Sequence, residues 1–219
     1  MSEILFVSGI DTDAGKSYAT GYMARQLMNE GKRVITMKFI QTGCDEYSED
    51  IEVHRQIMGT DTMPEDIDHT TAPIVLSYPA SAQLAAAMDH REIDLQLIDE
   101  AIDRLAMNYD VVLIEGAGGL MVPITDDFFA IDYAATRQLP VMLVTNSRLG
   151  SINHTVLSLE AIARRGLRLH SVLYNHHFDS DAVISADTRR FVEHYVSTEF
   201  PGTPVIDIPS FSTSDFNAI

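Results

Sequence analysis

Nine residues near the start of the chain, Gly9-Ile10-Asp11-Thr12-Asp13-Ala14-Gly15-Lys16-Ser17, have the types and spacing to hold phosphate. They join an apolar run to a segment with helical character. A loop of this kind turns its backbone N–H groups inward, and together with the helix N-terminus it cradles phosphate oxygens. Lys16 would reach the β- and γ-phosphates of a nucleoside triphosphate, and the Ser17 hydroxyl would ligate Mg²⁺. A bare Gly-Lys-Ser triplet is also an ordinary helix entry. The strand before it and the helix after it carry the phosphate reading. The spacing departs from the usual loop, because position 10 is isoleucine and the leading glycine comes one residue earlier.

Other residues could serve the same phosphate. Lys38 ends a second apolar run and precedes Phe39-Ile40-Gln41-Thr42-Gly43. In a parallel sheet adjacent strand ends share one edge, so Lys38 could approach from the other side, although a strand-end lysine is more often simply solvated. Asp50 stands near a helix start, where a carboxylate also complements the helix dipole. Glu115 follows the most apolar run in the chain and precedes Gly116-Ala117-Gly118-Gly119. A carboxylate so placed is the usual second support of a nucleotide's Mg²⁺, and the glycines allow close backbone approach to a ligand. Thr145 to His154 runs from a strand into a helix whose first amides could hold an anion. Asn175 closes a fifth strand, and its amide both donates and accepts, as reading a nucleobase requires. Asparagine at such places is also a common turn residue.

The elements that must position these groups are six short apolar runs: Ile4–Val7, Val34–Met37, Val111–Ile114, Val141–Val144, Ser171–Tyr174 and Val205–Ile208. Most are apolar throughout rather than alternating, as strands covered on both faces are. Helical periodicity separates them. Leu95, Ile98, Ala101, Ile102 and Leu105 share a face behind the capping residue Asp94, and Ile152, Val156, Leu159, Ile162 and Ala163 share another that Gly166 would stop. A last helix is expected over about 182–198. Residues 59–79, with three prolines, read as an irregular segment over the C-terminal edge of the sheet, where open α/β folds bind ligands. The expected architecture is α/β: a P-loop fold with a mostly parallel β-sheet and helices on both faces, forming a single domain over residues 1–219.

Composition narrows the partners. A net charge of -17 repels nucleic acid and anionic membranes, so neither is an expected partner, and no basic stripe reverses this locally. No apolar run has the length of a membrane span, and the N-terminus lacks the pattern of a signal peptide. The one cysteine, Cys44, forms no internal disulfide and fits a reducing, cytoplasmic setting. It has no evident catalytic partner. His170, His176 and His177 read as surface or strand-end histidines rather than metal ligands.

Taken in order, the stretches Gly9–Ser17, Lys38–Gly43, Ser48–Asp50, Val112–Gly119, Leu149–His154, Asn175 and Ile208-Pro209 resemble the dethiobiotin synthetases, ATP-dependent carboxylase-cyclases of biotin synthesis. The shifted loop with Asp11-Thr12 and the Glu115-Gly-Ala-Gly-Gly run are the most specific parts. The resemblance implies that Thr12, Asp13, Ala14, Gly15, Lys16 and Ser17 hold ATP, and that Asn175 and Pro209 contact adenine. It implies a Mg²⁺ site of Ser17, Asp50 and Glu115. Lys16, Lys38 and Thr42 would be catalytic, with Thr42 and Gly118 beside the substrate. Gly150, Ser151, Ile152 and Asn153 would bind the substrate carboxylate across a homodimer interface. The substrates so implied are 7,8-diaminopelargonate, CO₂ and ATP. Phe39 stands where the family commonly has proline, and Ala82-Gln83 replaces a usual Pro-His pair.

Two other readings remain. A small-molecule P-loop kinase would carry an arginine-rich lid, and Arg164, Arg165 and Arg168 cluster instead near a helix end. A nucleotide-switched interaction ATPase of the ParA/MinD type would carry a signature lysine at position 11, which here is aspartate.

Overall fold

In the computed structural model, which describes residues 2–210, all six apolar runs become strands of one sheet. The first half of the chain forms β1 (Glu3–Gly9), α1 (Lys16–Asn29), β2 (Val34–Lys38), β3 (Gln41–Thr42), α2 (Glu49–Met58), α3 (Pro64–Ile67), β4 (Val75–Leu76), α4 (Ala82–Met88) and α5 (Leu95–Asn108). The second half forms β5 (Val111–Gly119), β6 (Pro123–Thr125), β7 (Phe128–Phe129), α6 (Ala130–Thr136), β8 (Val141–Asn146), α7 (Ser151–Arg164), β9 (Leu169–Asn175), α8 (Ala182–Glu199) and β10 (Val205–Ile208). The sheet order is β10-β9-β8-β1-β5-β2, and every pairing in it is parallel. Among the described residues no helix is long and apolar enough to cross a membrane.

The unbroken apolar runs have a simple cause. Successive side chains of a strand point to opposite faces, and both faces here are covered. Phe6, Val112, Ile114, Val141 and Leu143 enter one core, with Ile98, Ile102 and Leu105 of α5, Ile162 of α7 and Val192 of α8. Leu5, Val7, Val111, Leu113, Met142 and Val144 enter the other, against Ala19, Met23 and Ala24 of α1. Several helix starts also have a local reason. The Asp94 side chain accepts from the Gln96 amide at 2.9 Å, and Asp181 accepts from Val183 and Ile184. Gly166 sits at φ 63 just beyond α7, the left-handed turn that ends it.

The proline-rich segment after α2 is more ordered than its composition suggests. Pro64 opens the four-residue helix α3, a position where its missing N–H costs nothing. Further on, β4 pairs in parallel with β3, Gln41 opposite Val75 and Thr42 opposite Leu76. The backbone amides of Lys38 and Gln41 donate to the carbonyls of Thr71 and Ile74. The segment therefore walls one side of the sheet's C-terminal edge, where sequence reading places it.

A buried ion pair locks this wall to α2. The Arg55 guanidinium grips Asp66 with two bonds, 2.8 and 2.7 Å, and donates to the Thr36 hydroxyl at 2.7 Å. Asp66 also accepts from the Thr71 hydroxyl and the Met63 amide. Removing one member of such a network leaves a buried charge without its partner. Arg55→Met should therefore lower unfolding free energy by about 3–5 kcal/mol in urea titration; a midpoint equal to that of the parent chain would contradict the role given to the pair.

Candidate active site

The phosphate loop leaves the central strand β1, which has β5 on one side and β8 on the other. Gly15 caps α1 with φ 88, a conformation that disfavours any side chain, and the cap has no side-chain hydrogen bond. The first amides of α1 are thus free to face a ligand. A Cβ at Gly15 would lie 2.1 Å from Asn175 Nδ2. That amide donates to the Ala14 carbonyl at 3.2 Å, and its Oδ1 accepts from the His177 amide. Asn175 therefore ties the underside of the loop to the end of β9. Ala14 itself is fully buried beneath the loop.

Lys16 is 4% exposed and curls back over its own loop, donating to the carbonyls of Asp11 at 3.1 Å and Thr12 at 2.9 Å. Neither acceptor is a full charge. Burial brings its pKa down to about 8, with nearby Lys38 pushing the same way and Glu115 and Asp50 opposing. An anionic phosphate in the cradle would supply a compensating charge.

Beside Lys16 lies a ring of charges set by sheet register. β2 and β5 pair so that Lys38 stands opposite Glu115. Lys38 Nζ contacts Asp50 and reaches Glu115 Oε1 at 2.9 Å. The Ser17 hydroxyl lies 2.7 Å from Asp50 Oδ1 and 3.0 Å from Glu115 Oε1. Carrying one hydrogen, it can donate to only one of them at a time. Lys38 and Glu115 are both buried. Burial alone would neutralise each; instead Glu115 and Asp50 hold the Lys38 pKa above its usual value, and Lys38 with His54 holds the Glu115 carboxyl far below the carboxylate range. The lysine is thus no solvated strand end.

These groups line one cleft of about 480 Å³. Its phosphate end holds Thr12, Asp13, Gly15, Lys16 and Ser17, and its floor Lys38, Thr42, Asp50, Glu115 and Gly118. At the far end Asn175, Tyr18, His177, Phe178 and Pro209 form a partly aromatic wall. There the Arg148 guanidinium sits 4.4 Å over the Phe178 ring. The residues after Ser210 lie outside the described residues. Gly150, Ser151, Ile152 and Asn153 do not line this cleft. They form the start of α7, where Gly150 has φ 95 and the buried Ser151 hydroxyl has no partner among the described residues.

Sequence reasoning passed over several contributors, among them His54, Gln41, Tyr18 and Phe178. His54 had a signal, since it follows Asp50 by four residues on one helix and so shares its face. Gln41 joins the floor through the Ser48 hydroxyl, the cap of α2. The glycines after Glu115 extend β5 as far as Gly119 rather than forming a plain loop.

The oxygens of Ser17, Asp50 and Glu115 suit a hard divalent cation. Among the described residues no group of three His, Cys, Asp or Glu side chains could hold a metal alone. Phosphate oxygens would have to complete the shell, the arrangement Mg²⁺ ordinarily adopts. Gly15→Ala tests the cradle, since it adds a strained φ, about 1–2 kcal/mol, to the collision with Asn175. Nucleotide affinity measured by calorimetry should fall at least about tenfold, and an unchanged affinity would refute the close approach.

The family model described as an AAA domain matches residues 3–206. An ATP-dependent dethiobiotin synthetase of Pasteurella multocida is 44% identical over 203 residues, spanning 93% of this chain and 95% of the relative. That of Chlorobaculum tepidum is 46% identical over 207 residues, 94% of this chain and 87% of the relative. That of Haemophilus influenzae is 47% identical over 184 residues, 84% and 96% of the two chains. Among solved structures, cobyrinic acid a,c-diamide synthase from Mycobacterium smegmatis superposes with a TM-score of 0.56 at 16% identity, over 100% of this chain and 91% of that one. The MinC:MinD complex of Aquifex aeolicus superposes with 0.58 at 15%, over 98% and 85%. These last two show the fold alone. With relatives of such identity along nearly its whole length, the chain belongs to the ATP-dependent dethiobiotin synthetase family.

Proposed function

We propose that this chain joins CO₂ to 7,8-diaminopelargonate and closes the cyclic urea of dethiobiotin at the expense of ATP. The observation that carries the reading is the pair of buried lysines, Lys16 and Lys38, facing one cleft beside Ser17, Asp50 and Glu115. Phosphoryl transfer asks mainly for positioning and for neutralisation of oxygen charge, which such a clamp supplies.

The chemistry follows from the substrate. One amine takes up CO₂, loses a proton and becomes a carbamate. Oxide is a poor leaving group, so the carbamate oxygen first attacks the γ-phosphorus and releases ADP. The product is a carbamic-phosphoric anhydride. The neighbouring amine then attacks its carbonyl carbon, phosphate departs, and a second proton is lost. Two nitrogens on adjacent carbons make the ring five-membered. No protein nucleophile enters these steps, in keeping with a cleft that Cys44 does not line.

In this scheme Lys16 holds the β- and γ-phosphates, and Lys38, with Thr42 beside it, orients the carbamate oxygen against phosphorus. Ser17, Asp50 and Glu115 would hold Mg²⁺, which when bound neutralises phosphate charge and fixes its geometry. The aromatic wall with Asn175 and Pro209 receives the base. The start of α7, Gly150 to Asn153, would take the substrate carboxylate from a second copy of the chain, because it stands apart from this cleft. We read residues 1–219 as one such domain working as a cytoplasmic homodimer. The charge of -17 disfavours nucleic acid as a partner.

ADP release should require the diamine and bicarbonate together; equal release without the diamine, or phosphorylation of an alcohol acceptor, would refute the reaction. Lys16→Ala and Lys38→Ala should each lower kcat/KM by about 3–4 kcal/mol of transition-state stabilisation, as deletion of a preorganised charge contact does. Near-normal turnover by either would remove that lysine from the mechanism.

A further inference from the structure

His54 is fully buried in α2, and the scheme above gives it no role. Its Nε2 lies 2.6 Å from Glu115 Oε2. The carboxylate is ionised and can only accept, so Nε2 must carry the hydrogen. The other oxygen, Oε1, meets Lys38 Nζ and the Ser17 hydroxyl. The two oxygens of Glu115 thus face different partners, one held from the helix side and one turned toward the phosphate cleft.

Packing alone does not account for an imidazole here. Among the described residues His54 Nδ1 is buried without a hydrogen-bond partner, a desolvation cost that a leucine of similar volume would avoid. The surroundings are also shaped to bring the ring in. Gly21 of α1 lacks a Cβ where one would lie 2.9 Å from the Ile57 side chain and 3.3 Å from the His54 backbone. That gap lets α2 approach closely enough for the ring to reach the end of β5. The same helix presents Asp50 one turn earlier, so a single rigid element carries one carboxylate and steadies the other.

We propose that His54 is a positioning residue that fixes the Glu115 carboxylate by its Nε2–H, so that Oε1 faces the Mg²⁺ of the bound nucleotide. The inference rests on the metal site of the preceding section. Partners that orient a ligating carboxylate typically change metal affinity by about 10–100-fold when removed.

The test is calorimetric titration with the non-hydrolysable β,γ-imido analogue of ATP, in excess Mg²⁺ and in chelator. In the parent chain Mg²⁺ should tighten binding. His54→Leu should lose about tenfold or more of that tightening while keeping the metal-free affinity, and His54→Gln, whose amide can stand in for Nε2–H, should regain most of it. A His54→Leu chain with full tightening would overturn the proposal, as would a His54→Gln chain no better than it. If His54→Leu does not fold, the comparison passes to Gln against the shorter Asn, which cannot reach Glu115: retention by Gln alone supports the role, and equal behaviour of the two overturns it. A parent chain indifferent to Mg²⁺ would refute the metal site itself, and the inference with it.

Discussion

Lys38 and Glu115 face each other across two parallel strands, almost wholly removed from water. Neither charge is tolerable there alone, because the desolvation of each is worth several kcal/mol and only a close partner offsets it (about 3–5 kcal/mol is lost when one member of such a pair goes). Everything nearby is arranged around that demand. Asp50 and His54 come from one face of α2, and Ser17 from the first turn of α1. Four elements thus meet at one charge cluster beside the phosphate loop.

The consequence for function is preorganisation. The buried lysine of the phosphate loop and a ring of two carboxylates and a lysine, one negative charge in excess, are set in place by the fold before any nucleotide arrives. Lys16 is held by carbonyls rather than by a carboxylate, so its charge remains available to phosphate. The overall acidity of the chain makes such concentration necessary. A polyanionic nucleotide approaching a surface of net charge -17 finds attraction only where loop amides, lysines and metal ligands converge.

Much of this was legible in the sequence, for local reasons. The six strands declared themselves because both faces of the sheet are covered, and Asp94 and Gly166 marked helix ends by their own chemistry. Glycine loop, Lys38, Asp50, Glu115 and Asn175 all fall around one cleft because parallel strands deliver their C-terminal ends to one edge. The burial of Lys38 was not legible, since it depends on Asp50 and Glu115, 12 and 77 positions away in the chain, and on the wall built by residues 59–79. His54 was hidden for the same reason: its four-residue spacing from Asp50 is local, but its partner is not. Gly150 to Asn153 gave a helix-start signal correctly, yet that signal says nothing about which cleft the helix faces.

The central claim is that the cleft activates a carbamate oxygen by phosphoryl transfer. Oxygen labelling tests it directly. With ¹⁸O-labelled CO₂, unlabelled water and unlabelled ATP, the oxygen that bridges carbon and phosphorus must leave with phosphate when the ring closes. Mass spectrometry of the released phosphate before the label exchanges with solvent should find one ¹⁸O per molecule, with the other in the urea carbonyl. Unlabelled phosphate formed alongside labelled product would contradict the anhydride and the role assigned to the two lysines.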